Sequence, residues 1–362
     1  MMSALIFIAV IVALIVVHEC GHFIAAKLSG MRVDEFGLGY PPRALTIAKV
    51  GETAYTLNWL PFGGFVKIFG EDGGTGSRAF STRPRILQAI VLVAGIAMNL
   101  LFAYVLITGA LIAGTPRALS QIEVATAKNV ELAVADVLPN SPAARAGLLP
   151  GDSIMSAKDA VGQWHASDPK SFSTFIAASA GAPVTLEIKR NTKEQTIVAT
   201  PASGIVTSDL TRPALGVEVA TIGVVPLGLL AALTSGATLT WGAVILTAQG
   251  LWHFFYGIFT FSADLSQVAG PIGIAGVVGN ASAQGLGDLL SIMAIISINL
   301  ALINLIPIPA LDGGRLLFVL IESVIRRPIN PRIAERVNAV GFVFLILLMV
   351  VVTAHDVFKI IG

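Results

Sequence analysis

The stretch from Ser3 to Ala26 carries no lysine, arginine or aspartate, and its only ionisable side chains are His18, Glu19, Cys20 and His22. A helix of that length crosses a bilayer core of about 30 Å. In lipid every backbone polar group must be satisfied internally, so such a stretch has little choice but to be helical. Ionisable groups inside it are costly and mark function where they occur. The whole chain follows suit: 55% of its 362 residues are hydrophobic and 12% charged, with a mean hydropathy of +0.81. That composition predicts a polytopic α-helical membrane protein with the lipid bilayer as its surroundings. A net charge of +1 without a clustered basic face argues against nucleic acid as a partner. The single cysteine, Cys20, excludes an intrachain disulfide and is read as helix packing.

About four spans are expected. The first, within residues 3–26, lacks a basic n-region and a small-residue cleavage site, which predicts a retained span and not a signal peptide. Eight basic residues between Lys27 and Arg85 place the following loop in the cytoplasm by the positive-inside rule. Within it, "TAYTLNWLPFGGFVKIFG" alternates Tyr55, Leu57 and Trp59 with Thr56 and Asn58. That pattern predicts a β-hairpin turning through Gly63-Gly64, membrane-associated through its apolar content, against the plainer alternative of a hairpin on the cytosolic surface. The second span, 86–113, completes an N-terminal half over residues 1–115.

Residues 116–220 change character. Short β-type runs and the turn-rich "NSPAARAGLLPGDSIMS" predict an inserted α+β domain outside the cytoplasm. Residues 221–285 are apolar but interrupted by Pro226, Gly228, Gly236, Gly242 and Gly250. Parity requires an even number of crossings there, and an interfacial or re-entrant helix with none is preferred to a pair. The C-terminal half, 286–362, holds a third span ending in "NLIPIPALDGG", a basic loop with Arg326, Arg327, Arg332 and Arg336, and a last span over 338–358.

His18 and His22, four residues apart, share one helix face at a separation that can grip one ion. Glu19 is turned about 100° from His18, where a carboxylate can take a proton from water. Two imidazoles, an open position and a carboxylate are the needs of a zinc hydrolase. The plainer reading is polar glue between helices. A third ligand must come from another segment, because position 28, where the related soluble enzymes carry one, is Leu28. Asp288 and Asp356 stand at span ends and read as solvated, and Glu322 adjoins the basic loop. Asp312 remains, after a proline-broken stretch whose freed backbone must line a cavity, and parity puts it on the same side as HECGH.

HECGH at the end of a first span, "LPFGGFVK", "AGIAMN", "SPAARAGLLPGD", "AGPIGIAG" and "INLIPIPALDGGRLLF", in that order, resemble the site-2 protease family of intramembrane zinc metalloproteases, most closely its bacterial RseP-like branch. The resemblance implies a membrane metalloprotease core with a PDZ-like domain between its halves, in the cytoplasmic (inner) membrane, with the active site near the cytoplasmic side. It implies Zn2+ held by His18, His22 and Asp312, with Glu19 as the catalytic acid/base. It further implies that Asn304, Pro307 and Pro309 help hold substrate, and that Gly63 and Gly64 belong to an edge strand that receives it. Gly95 and Asn99 match a motif of the second span, with close helix packing as the plainer role for Gly95; the proline usual after that glycine is Ile96 here. One PDZ-like domain stands where the best-known Gram-negative members have two. The implied partners are transmembrane segments of single-span proteins, of the anti-sigma factor or remnant signal peptide class. The inserted domain either recognises a chain terminus or filters substrates by size, and the resemblance favours the filter. A transporter with a broken-helix metal site and a non-catalytic PDZ adaptor are the alternatives: the first would normally show repeat symmetry, and the second would not need Glu19.

Overall fold

The computed structural model describes residues 2–71, 76–165, 167–190, 193–205, 209–260 and 269–361. In chain order its elements are α1 (Met2–Leu28), β1 (Val33–Val50), β2 (Thr53–Ile68), α2 (Arg85–Ala113), β3 (Pro116–Ala118), β4 (Lys128–Val137), α3 (Pro142–Ala146), β5 (Ser153–Lys158), β6 (Gln163–Trp164), α4 (Pro169–Ala178), β7 (Val184–Arg190), β8 (Lys193–Ala199), β9 (Val217–Val224), α5 (Leu229–Phe259), α6 (Pro271–Gln284), α7 (Leu286–Leu305), α8 (Asp312–Ile325) and α9 (Pro331–Ile361). They form two compact units, Met1–Ala113 with Gly228–Gly362, and Gly114–Leu227.

In the first unit, five helices among the described residues are long and apolar enough to cross a membrane: Ser3–Leu28, Arg85–Ala113, Leu229–Ile258, Leu286–Leu305 and Arg332–Phe358. The expectation was about four, and the difference lies in residues 221–285. Instead of only an interfacial or re-entrant segment, α5 is one helix of 31 residues. Interior glycine costs about 0.5–1 kcal/mol in a helix, mainly through chain entropy. Away from water the backbone has no competing partner, and small residues let neighbouring helices close in. Gly236 serves that purpose, since a Cβ there would stand 2.5 Å from Thr108 Oγ1 on α2.

The shorter α6 packs Val278 against Val10 and Leu14 of α1. Its first turn is held from α9, where Asp356 accepts the Gly273 N–H at 2.8 Å. Asp356 is buried, which corrects its reading as a solvated span end. A carboxylate in apolar surroundings needs donors, and the unpaired N–H groups that open a helix supply them.

The β-region also differs from expectation. The chain reverses at Gly51-Glu52, not at Gly63-Gly64, and β1, unforeseen in the sequence, runs from Val33 to Val50. The two runs of β2 do not pair with each other. Leu38 of β1 pairs with Leu57 on one side and with Gly64 on the other, so Glu35–Leu38 lies between them. Gly63, at φ +95°, lets β2 bend around that central segment. The run Gly64–Ile68 is thereby left as one border of the sheet.

The second unit is built on a sheet ordered β3-β9-β4-β5-β7-β8, with β6 on β5. Strand alternation points Leu132, Val134, Ile154, Leu186 and Ile188 into one core, closed by Phe172 and Ile176 of α4. Each such side chain contributes roughly 1.5–3 kcal/mol on burial. Ser141 caps α3 and Asp168 caps α4, each accepting a backbone N–H of its helix. Hydrogen bonds from Ser171 hold the Asp168 carboxyl below its ordinary range. Asp152, in the "PGD" turn, is fully buried and receives Arg190 in a two-pronged ion pair, Nε and Nη2 each at 2.7 Å.

Candidate metal centre

On α1, one helical turn sets the rings of His18 and His22 4.7 Å apart and nearly perpendicular, at 83°. Asp312 opens α8, where the helix dipole favours a carboxylate. Its Oδ2 lies 3.0 Å from His18 Nε2 and 3.2 Å from His22 Nε2, and the two Nε2 atoms are 3.1 Å apart. These three residues are the group among the described residues able to hold a metal ion. A tetrahedral zinc at about 2.0–2.1 Å from each ligand sets ligand atoms about 3.3 Å apart, so the nitrogen, nitrogen and oxygen set fits that ion in both spacing and chemistry.

The centre is shaped from behind by α2. His22 Nδ1–H donates to the Val91 carbonyl at 2.8 Å, leaving the Nε2 lone pair facing Asp312 and His18. The amide of Asn99 faces His18 Nδ1 at 3.1 Å, and its Oδ1 is buried without a partner among the described residues. With the amide turned by 180°, Oδ1 accepts a hydrogen bond from Nδ1–H, which frees His18 Nε2 in the same way. Ser297 of α7 in turn donates to the Asn99 carbonyl at 2.8 Å.

Gly95 decides whether the imidazoles fit at all. A Cβ there would lie 2.3 Å from His22 Nε2 and 2.8 Å from His18 Cε1. Close helix approach and the shape of the centre are therefore one requirement, not two. Gly21 on α1 completes the approach, since a Cβ would meet the Ala94 carbonyl oxygen at 2.4 Å.

Asp312 is delivered by a tight descent from α7. A side chain at Gly313 would stand 2.3 Å from the Ile306 carbonyl oxygen, and one at Gly314 2.4 Å from that of Ile308, so α8 starts directly beneath the proline-broken loop. Ala310 takes a left-handed φ of +75°, with its N–H donated to Asn338 of α9 at 3.2 Å. Two ion pairs fasten α8, Arg315 with Glu71 and Glu322 with Arg85, the latter at 2.6 Å. Neither pair is suggested by sequence spacing, because the partners come from opposite ends of the chain. The Val91 carbonyl was equally invisible, being backbone.

Glu19 is half-buried and makes no hydrogen bond among the described residues. Gly64 of β2 lies beside it, so that a Cβ would reach 3.4 Å from Glu19 Cγ. Asn304 sits in the last turn of α7 and Pro307 is exposed beyond it. Pro309 is wedged between helices: a Cβ at Gly341 of α9 would meet its carbonyl oxygen at 2.4 Å, and one at Gly314 its Cα at 2.9 Å.

A family model described as peptidase family M50 matches residues 6–348. A Clostridium perfringens protein named as a putative zinc metalloprotease is 37% identical over 347 residues, covering 95% of each chain. One from Nostoc, named in the same terms, is 33% identical, covering 95% of this chain and 93% of its own. The zinc metalloprotease RasP of Geobacillus kaustophilus is 28% identical over 99% of this chain and 98% of its own. Among solved structures, the PDZ domain of an SdrC-like protein from Listeria monocytogenes aligns with 25% of this chain and 86% of its own at 21% identity, with a TM-score of 0.21. The chain belongs to peptidase family M50 and is a zinc metalloprotease of the site-2 protease family.

Proposed function

We propose that this zinc metalloprotease cuts peptide bonds inside the bilayer, in transmembrane segments of single-span proteins such as anti-sigma factors or remnant signal peptides. The observation that carries this reading is the placing of His18, His22 and Asp312 around one point on a helix that is otherwise apolar, with Glu19 and the border strand of β2 beside them. His18, His22 and Asp312 hold zinc, which when bound supplies Lewis-acid polarisation and activates water. Glu19, free of any fixed hydrogen bond, accepts the proton of the attacking water and returns it to the leaving amine.

A helical substrate shields its peptide bonds with its own hydrogen bonds and has to be opened first. The run from Gly64 onward, on the border of the β1–β2 sheet, is suited to pair with an unwound substrate strand next to Glu19. Asn304 and Pro307, on the loop that delivers Asp312, help hold that strand; Pro309 contributes by wedging the loop in place. The centre opens toward the cytoplasm, and the inserted unit lies on the opposite side of the inner membrane.

The test is Glu19→Gln in detergent with a single-span substrate. Cleavage is expected to fall about 10²–10⁴-fold while zinc, measured by mass spectrometry, stays at one ion per chain. Undiminished cleavage in that variant would sink the assignment. Membrane peptides that accumulate in cells carrying it identify the natural substrate.

A further inference from the structure

Helix α8 has one side that no described residue covers. Another side packs Leu316 and Val319 into the cluster of Ala26, Met31 and Val91, and a further one carries the ion pairs of Arg315 and Glu322. Away from both, Leu317, Leu320, Ile321, Val324 and Ile325 recur at helical spacing within about 140° of arc. All five are exposed, Leu320 by 53% and Val324 by 82%. With 14 residues α8 is about 21 Å long, too short to cross a bilayer core of about 30 Å. An apolar stripe on such a helix belongs in the membrane interface.

The stripe runs straight into positive charge. Arg326, at a left-handed φ of +54°, ends α8, and Arg327, Arg332 and Arg336 follow on the loop and the opening turns of α9. The Ile329 N–H donates to Glu322 Oε1 at 2.8 Å, which folds that loop back against α8. Between residues 326 and 336 stand four arginines and one acid, Glu335, while Glu322 is already engaged by Arg85 at 2.6 Å. The four arginines are exposed, and none makes an ion pair among the described residues. Apolar side chains bounded by unpaired guanidinium groups suit acyl chains beneath an anionic headgroup.

We propose that α8 lies in the headgroup boundary with its stripe among acyl chains, and that Arg326, Arg327, Arg332 and Arg336 bind the phosphate of an acidic phospholipid. The ligand is the intact lipid: the stripe takes its chains and the arginines its charge, so neither a neutral lipid nor a free phosphate satisfies both. The lipid thereby sits at the far end of the helix that opens with Asp312. The inference does not depend on the proteolytic reading.

Native mass spectrometry of the full-length chain in detergent, titrated with phosphatidylglycerol or phosphatidylcholine of identical acyl chains, counts bound lipid directly. The acidic lipid is expected to bind about tenfold tighter. The triple variant Arg327→Gln/Arg332→Gln/Arg336→Gln should bring the two lipids to within about twofold of each other, with an unchanged melting temperature. Leu320→Ser/Val324→Ser should weaken both lipids about tenfold and keep the preference. Soluble glycerophosphoglycerol, the headgroup without chains, should not compete. Equal binding of the two lipids, an acidic preference that survives the triple variant, or a serine variant as tight as the parent would each overturn the proposal. So would displacement by the soluble headgroup, or a dimer in place of bound lipid that the serine variant abolishes.

Discussion

Each unit sets a carboxylate beside cationic or potentially cationic nitrogen, Asp152 buried and Asp312 half-buried, and the two are resolved in opposite ways. Asp152 meets a guanidinium that is always charged, in a two-pronged pair that also takes the Leu149 N–H at 2.9 Å. Its requirement is met entirely within the chain. Asp312 meets two imidazoles, neutral in their ordinary state, arranged so that three lone-pair atoms converge. That arrangement is suited to an added cation. A carboxylate closed by arginine is architecture, and one left facing lone pairs is a candidate site for a cation.

This contrast can be broken by experiment. Asp312→Asn should reduce both bound zinc and proteolysis to background, a loss of at least about 10²-fold, while the inserted unit melts unchanged. Gly95→Ala should do nearly as much damage with neither histidine nor Asp312 altered, because its methyl group would stand 2.3 Å from His22 Nε2 and push the ring aside. Zinc titration of the purified protein checks both.

The converse is Arg190→Met, which strands the Asp152 carboxylate and should cost the inserted unit about 3–5 kcal/mol, with zinc content intact. Adding Asp152→Leu should recover most of that stability in chemical denaturation, and failure to recover would mean that the pair does more than balance charge. Asn99→Ala should lower zinc affinity by about 10–100-fold through a loosened His18.

The smallest effect concerns Glu123, which the Arg117 guanidinium and Ser120 hold at about 2 instead of the usual 4.5. Because its folded value is depressed, its stabilising contribution is full above the unfolded value and fades as pH falls from about 4.5 toward 2. Glu123→Gln should flatten that part of an acid titration.

The centre was legible in sequence because its chemistry is concentrated. HECGH sets two imidazoles on one helix face by periodicity alone, and the scarcity of other acids near apolar segments, together with the charge rule, singles out Asp312 as the residue to join them; the three converge. What stayed hidden depends on tertiary partners. The turn at Gly51-Glu52 was eclipsed by Gly63-Gly64, whose glycines serve a bend and a close approach to Glu19 instead. α5 was underestimated because its glycines suggest interruption, whereas Gly236 packs on α2 and Gly242 and Gly250 lie within one unbroken helix. Asp356 gave no hint of burial because its partner is a backbone N–H lying 83 positions away. The transporter and adaptor alternatives fall away with membership in a zinc protease family.

His18 and Asp312 are separated by 294 positions. A nascent polypeptide thus threads both imidazoles into the membrane long before the ribosome has added the residue that completes the trio. Until then the two imidazoles lack the carboxylate that stands 3.0 Å from His18 in the folded chain.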